Sequence, residues 1–299
     1  MRRLESEHDL AIRVVDYALE GDDVGGRLET FQADLRDPAS AHRAVEGCTH
    51  VVHLAAIVGG IANFHKLPHT LLEVNNGLYN AVFRAALDAG VERLVYVSSS
   101  MVFERATEFP TTEEHVADTP IPESAYGFSK LAGEAYCRAC WESYRVPAIS
   151  LRYFNVFGPG QDPASEYAAV VTRFIAACLD GTRPTIYGDG EQSRDFAFLD
   201  DVVQANLLAA RAPEAAFGRA FNIGGGAEPT SVNRLLRLIA SACGVEPEPV
   251  HQPERPGDIR RSEADVGLAR TVLGFEPKVD VADGLRRTIE WFRDLGRTA

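Results

Sequence analysis

The sequence predicts an α/β fold, a doubly wound parallel sheet with a smaller C-terminal lobe. Three observations predict it. At 299 residues the chain has room for one large α/β domain, or for one with a small lobe. Short apolar runs of strand character alternate with longer helical patterns. The first of these runs, Leu10-Ala11-Ile12-Arg13-Val14-Val15-Asp16, reads as a buried strand closing on a carboxylate.

The elements follow in order. Met1 to Asp9 is a charged, helix-like stub ahead of the first strand. Phe31-Gln32-Ala33-Asp34 leads to a helix from Pro38 to Glu46, then to a strand over His50-Val51-Val52-His53-Leu54-Ala55-Ala56. Gly25-Gly26 and Gly224-Gly225-Gly226 read as turns. A long helix opens at Glu73-Val74-Asn75-Asn76 and runs to Ala89, and Arg93 to Val97 is the next strand. A helix carries Lys130 and runs to about Tyr144, and Ala148 to Arg152 is again a strand. Pro159-Gly160 marks a boundary, dividing residues 1–160 from a lobe over 161–299 whose chain returns to the main sheet. That part holds a helix from Val170 to Leu179, a short strand at Phe221-Asn222-Ile223, a helix capped by Ser231 and a terminal helix from Val281 to Arg293.

Composition narrows the function. Hydrophobic content of 45% and charge of 24% are ordinary for a globular chain. A net charge of −13 argues against nucleic acid or an anionic membrane as the main partner, while local arginines can still hold an anionic small ligand. No signal-peptide pattern opens the chain and no apolar run approaches a membrane span, so a cytoplasmic setting is expected. The five cysteines are scattered, and Cys137-x-x-Cys140 lies within a helical pattern, where it reads as packing in a reduced compartment. His65 and His69 lie across Pro68 with no carboxylate to complete a set, so no metal site is expected.

The chemistry gathers between Ser98 and Lys130. Ser98-Ser99-Ser100 ends the apolar run Leu94-Val95-Tyr96-Val97, and Tyr126-Gly127-Phe128-Ser129-Lys130 opens a helix about 27 positions later. Tyr and Lys four apart share one helix face. A phenol with a pKa near 10 is a poor base at neutral pH, and an adjacent ammonium favours the phenolate. A hydroxyl at the tip of a neighbouring strand can share the substrate proton.

These motifs resemble the extended short-chain dehydrogenase/reductases, specifically the NAD-dependent nucleotide-sugar epimerase/dehydratase group with its Rossmann-like fold. The resemblance runs from about Ile12 to Phe292. It implies that Ser99, aligned through Val102-Phe103, acts with Tyr126 and Lys130. It also implies that Asp16 accepts the adenosine ribose hydroxyls of NAD and repels a 2′-phosphate, that Asp34 meets the adenine edge, and that Leu54, Ala55 and Ala56 let the backbone approach the cofactor. His53-Leu54-Ala55-Ala56 matches the family's H-x-A-A segment, with His53 a packed strand residue. Asn75 or Asn76 is the Asn that braces the site.

For the substrate, Tyr153-Phe154-Asn155-Val156-Phe157-Gly158-Pro159 implies that Asn155 binds the diphosphate of a nucleotide sugar. Tyr187-Gly188-Asp189-Gly190-Glu191-Gln192-Ser193-Arg194-Asp195-Phe196 implies Arg194 as a phosphate ligand. Arg255-Pro256-Gly257-Asp258 implies Arg255 at the second phosphate and Asp258 at the nucleotide ribose. Asp195 and Asp200-Asp201 hold loops. A homodimer through paired helices is also implied.

The family's first strand and its glycine-rich turn should precede Asp16 by about 20 residues and are absent from the sequence, so either the native protein is longer or this form binds cofactor poorly. Ile57-Val58-Gly59-Gly60-Ile61 is similar to a segment of GDP-fucose synthases and GDP-mannose 3,5-epimerases. Those enzymes carry a catalytic Cys where this chain has Met101, and sugar dehydratases carry an acidic pair where it has Ser100-Met101. The remaining Ser/Tyr/Lys set implies reversible oxidation of a sugar hydroxyl, hence epimerisation at C4 through a transient keto-sugar. A decarboxylase or reductase on the same scaffold, or a non-catalytic nucleotide-sugar binder, are the alternatives, and the base (UDP, GDP or dTDP) stays open.

Overall fold

The structure is a computed structural model describing residues 10–19, 27–58, 67–161 and 170–298. The stub Met1 to Asp9, the Gly25-Gly26 turn, the Gly59-Gly60-Ile61 loop and His65 lie outside the described residues.

Parallel strands build the first half. β1 (Ile12–Asp16) pairs with β2 (Leu28–Gln32), from Ile12 opposite Leu28 to Asp16 opposite Gln32. β3 (His50–His53), β4 (Arg93–Ser99) and β5 (Ala148–Tyr153) form a second parallel set with β4 in the middle. Among the described residues no strand hydrogen-bonds β1 to β3. The chain then leaves this sheet through β6 (Val156–Phe157), β7 (Thr185–Tyr187), β8 (Ser193–Arg194) and β9 (Ala197–Phe198). It returns with β10 (Ala220–Ile223), which lies parallel to β5 and completes the order β3-β4-β5-β10. The small pairings of the second half are β6 with β9, β7 with β12 (Val250–Gln252), and β8 between β11 (Thr230–Ser231) and β13 (Arg261–Ser262).

Helices cover the sheet as the alternation of patterns predicts. α1 (Pro38–Val45) starts at Asp37, whose carboxylate accepts from Ser40 N, with Pro38 supplying a residue that needs no N–H partner. α2 (Pro68–Ala89) begins five residues earlier than the expected Glu73, again on a proline in the first turn. α3 (Ala125–Tyr144) is capped by Ser124, whose hydroxyl accepts from Gly127 N. α1, α2 and α3 bury Ala41, Leu78, Val82, Phe83 and Cys137 against Leu94 and Tyr96 of β4.

On the other side, α5 (Leu199–Ala210) and α7 (Gly267–Leu273) pack Val202, Ala205, Ala269 and Leu273 with Val95, Ile149, Leu151 and Phe221. A third core joins α4 (Val170–Asp180), α6 (Val232–Cys243) and α8 (Val281–Thr298) around Phe157, Phe174, Ile186, Phe198, Leu235 and Ile289. No helix among the described residues is long and apolar enough to cross a membrane.

The strand expected over His50 to Ala56 stops at His53. Beyond it Leu54 and Val58 are exposed, and the Ile57 backbone is satisfied by a side chain, Asn75, instead of a strand neighbour.

Candidate active site

Ser99 ends β4 in extended conformation, and its hydroxyl accepts from Met101 N at 3.2 Å, starting a short turn over Ser100–Phe103. Tyr126 is the second residue of α3 and is buried. The Ser99 hydroxyl is the polar neighbour that favours its phenolate. The helix start that places Tyr126 is fixed by Glu104, whose carboxylate accepts from Ser124 N at 2.7 Å and also from Glu123 N and the Ser124 hydroxyl.

Lys130 lies one turn further along α3 and is 3% exposed. Its ammonium donates to Val97 O at 2.8 Å, its one hydrogen bond among the described residues. It sits among three tyrosine rings, 5.9 Å from the centre of Tyr79, 5.4 Å from Tyr96 and 5.7 Å from Tyr126. Burial lowers the Lys130 pKa to about 7, opposed by the charge of Glu134. Burial also pushes the Tyr126 phenol well above its ordinary value, against the pull of the Ser99 hydroxyl. The pair is thus held dry, and in this state desolvation outweighs the help that an ammonium gives a phenolate.

Of the two candidate bracing residues the structure singles out Asn75. Fully buried, it accepts from Ile57 N at 2.8 Å and donates to Ile57 O at 3.2 Å and to Ser129 Oγ at 3.1 Å. Ser129 in turn donates to Tyr126 O at 2.8 Å. One amide therefore ties the segment after β3 to the helix bearing Tyr126. Asn76 makes no such link, and its side-chain oxygen is buried without a partner. His53 is 3% exposed, boxed by Tyr79, Phe83 and Tyr96. Burial, then the Lys130 charge, lower its pKa to about 3, so it stays neutral packing. Met101 packs beside Leu71, Ala125 and Tyr126.

The residues expected at the cofactor lie where the parallel strands end, the edge at which open α/β sheets bind ligands. Asp16 ends β1, exposed, with one oxygen accepting from Ala18 N at 2.8 Å. Leu54, Ala55 and Ala56 follow β3. Asp34, just past β2, is held by the Arg36 guanidinium at 2.5 Å, so its oxygens are shared with that cation. The Lys130 ammonium has two further N–H donors to offer beyond Val97 O. A ribose hydroxyl pair suits those donors, and a second suits the Asp16 carboxylate, so the residues present fit a dinucleotide.

The expected substrate ligands converge separately. Arg194 donates to the Asp258 carboxylate at 2.6 Å and to the carbonyls of Ser193 and Ile259. The Arg255 guanidinium lies 3.5 Å above the centre of the Tyr187 ring. Gln192 donates to Tyr187 O at 2.8 Å and to Asp258 at 3.3 Å, and its own carbonyl oxygen is buried without a partner. A cleft of about 160 Å³ is lined by Tyr187, Gly188, Asp189, Gln192, Glu254, Asp258 and Arg260. Tyr187 and Gln192 were not among the expected ligands, although both stand in the segment that named Arg194.

Asn155 joins this neighbourhood by donating to Asp195 O at 3.0 Å. Asp195 is a buried brace whose carboxylate accepts from Gly225 N and Ala264 N, with its pKa raised to about 6 by burial. Asp201 does the same for Lys278 N and Val279 N. A crevice beside the turn that follows Ser99 is lined by Ser100, Phe103, Phe154, Ile259 and Ser262. Among the described residues no cluster of His, Cys, Asp and Glu is placed to hold a metal.

A parallel sheet with a Ser/Tyr/Lys set at its C-terminal edge defines a dinucleotide-dependent enzyme of the short-chain type. The family model for the NAD dependent epimerase/dehydratase family matches residues 2–224, and the chain belongs to that family. It is 42% identical over 212 residues to a UDP-glucose 4-epimerase of Mycolicibacterium smegmatis, a match spanning 70% of this chain and 65% of that protein's length. It is similar to the crystal structure of UDP-glucose 4-epimerase from Thermotoga maritima with UDP-glucose, at a TM-score of 0.89 and 33% identity, covering 98% of this chain and 94% of that one. The UDP-glucose 4-epimerase of Thermus thermophilus in complex with NAD gives a TM-score of 0.85 at 32% identity, with the same coverage.

Proposed function

We propose that this chain catalyses NAD-dependent epimerisation of a nucleotide-diphosphate sugar at C4, with UDP as the nucleotide. The bond from Lys130 to Val97 O, which holds the helix of Tyr126 and Lys130 against the strand that ends at Ser99, carries this reading. Tyr126 takes the proton of the sugar hydroxyl and returns it when the opposite face of the ring is presented. Ser99 holds the same oxygen, and Lys130 supplies the positive charge that makes the phenolate accessible. Asp16, the backbone of Leu54, Ala55 and Ala56, and Lys130 hold NAD, with Asp34 at its adenine edge. NAD, when bound, supplies a reversible hydride acceptor for the sugar carbon.

Arg194, Arg255 and Asn155 hold the diphosphate and Asp258 the ribose, which leaves the sugar as the end free to turn over. Met101, a thioether, and Ser100 offer no acid or base of carboxylate or thiol type. That absence favours epimerisation through a single hydroxyl over chemistry at C3, C5 or C6. UDP is supported by the relatives, whose names specify UDP-glucose.

In the same reading residues 1–160 bind the dinucleotide and residues 161–299 mainly the substrate, and the protein works in the cytoplasm. It pairs as a homodimer through α2 and α3, supported by the exposed Phe128, Tyr136 and Tyr144 along α3. The test is Tyr126→Phe with UDP-glucose and UDP-galactose. The expected outcome is a loss of interconversion by about a thousandfold or more, with UDP-sugar binding retained by calorimetry. Unchanged turnover would overturn the assignment.

A further inference from the structure

We infer that Glu134, with Ser98 and Arg152, is a positioning element that sets the helix of Tyr126 and Lys130 against the strand of Ser99 and supplies the counter-charge to Lys130. The inference rests on the reading of Ser99, Tyr126 and Lys130 as the reacting set. Three consecutive residues of β4 meet three residues spaced four apart on α3. Ser99 meets Tyr126, Val97 O accepts from Lys130, and the Ser98 hydroxyl donates to Glu134 at 2.6 Å. Residues four apart stack along one helix face, so the Glu134 rung fixes the rotation and height at which the other two are presented.

Glu134 is itself held. Arg152 stands opposite Ser98 in the β4–β5 register and grips the carboxylate with two parallel bonds of 2.8 Å from Nε and Nη2. Its remaining nitrogen donates to Glu113 O at 3.1 Å, and its guanidinium lies 4.8 Å from the centre of the Phe103 ring. The two side chains are 3% and 10% exposed. A buried ion pair contributes little to stability relative to an apolar replacement. This one is placed instead where its geometry is felt by every member of the set.

The groups facing Lys130 are Tyr126 and Glu134 of α3, Tyr79 of α2, Tyr96 of β4 and His53 of β3. Tyrosines and a neutral imidazole carry no formal charge near neutral pH, so Glu134 is the carboxylate opposing the desolvation of the ammonium. Arg152 grips that carboxylate through two bonds of 2.8 Å, so Lys130 faces the anion of an ion pair.

Lysine NMR tests the inference without turnover, because the chain has only three lysines, Lys66, Lys130 and Lys278. The ε-carbon signals of the full chain are titrated in wild type, Glu134→Gln and the double variant Glu134→Gln/Arg152→Met. The double variant leaves no cation unpaired. Because it removes both charges of the pair, its Lys130 is expected near the wild-type titration, so a folded double variant with Lys130 shifted down by about a full unit would also overturn the counter-charge. The expected result is that Lys130 loses its proton about 1 pH unit lower in Glu134→Gln, with Lys66 and Lys278 unmoved. The alkaline limb of kcat for UDP-glucose moves by the same amount while KM stays near wild type. Lys130 titrating at the wild-type pH in folded Glu134→Gln would overturn the inference. Failure of the epimerase reading shows up separately, in the Tyr126→Phe assay, and leaves the NMR result intact.

Discussion

Arg194 and Asp258, 64 residues apart in sequence, are bonded to one another at 2.6 Å with their side chains 12% and 10% exposed. Burial lowers the Arg194 pKa, against the charge and hydrogen bond of Asp258. The guanidinium is therefore oriented before any diphosphate arrives, and part of the cost of ordering it is met by the fold. Asp258→Asn is expected to weaken UDP binding by about tenfold, and Arg194→Leu by about a hundredfold, in calorimetric titration. Equal affinity in wild type and Arg194→Leu would remove Arg194 from the site.

Ser99 and Ser100 can be separated by substitution. Ser99→Ala takes away the hydroxyl that favours the Tyr126 phenolate and is expected to lower kcat by about a hundredfold at unchanged KM. Ser100→Ala, which only opens the following turn, should stay within about threefold of wild type by the same measure. The reverse ranking in steady-state assays would move the catalytic role to Ser100.

His53 gives the fold an acid-sensitive point. An unfolded histidine takes a proton below about pH 6.5, whereas the buried ring resists protonation down to about 3. The unfolded state therefore binds more protons in that window, and stability is lost as pH falls through it. His53→Phe keeps a ring among Tyr79, Phe83 and Tyr96 and removes this linkage. At pH 5 the variant is expected to gain about 2 kcal/mol on wild type relative to the comparison at pH 7.5. Urea denaturation at the two pH values measures it, and a parallel pH dependence in both proteins would refute it.

Gly133 permits the close approach of α3 to β4. A Cβ there would stand 2.2 Å from the Tyr96 hydroxyl. In an open helix Gly→Ala stabilises, but here the added methyl displaces a ring that packs on Tyr79 and on the Lys130 ammonium. Gly133→Ala is expected to cost about 2 kcal/mol of stability and to lower kcat as well. A melting temperature at or above wild type would show that Tyr96 can yield.

Local signals carried the strands and helices, and the physical causes of the misses are local too. Helix α2 was expected from Glu73, yet it starts at Pro68, which sits in the first turn, where its missing N–H costs nothing. The run His50 to Ala56 reads as one strand, but the strand stops at His53, and Asn75, which no periodicity reveals, binds the backbone of Ile57 just beyond the run. Tyr126, Lys130 and Ser99 were legible because two short motifs specify them. The links Glu134–Arg152 and Arg194–Asp258 were not, since each joins residues that only the folded chain makes neighbours. Glu134 did leave a trace, lying four residues beyond Lys130 on the same face.

The return of β10 to the side of β5 has a consequence for how the protein is made. Its Asn222 donates to the carbonyls of Thr111 and Asp265, so the strand also clasps the loop between the serines and Tyr126. A ribosome must release the chain past Ile223 before the sheet under the catalytic edge acquires its last strand. Until then the open flank of β5 is exposed to chaperones and proteases, and a break at the Pro159-Gly160 boundary would separate two fragments that each lack part of one sheet.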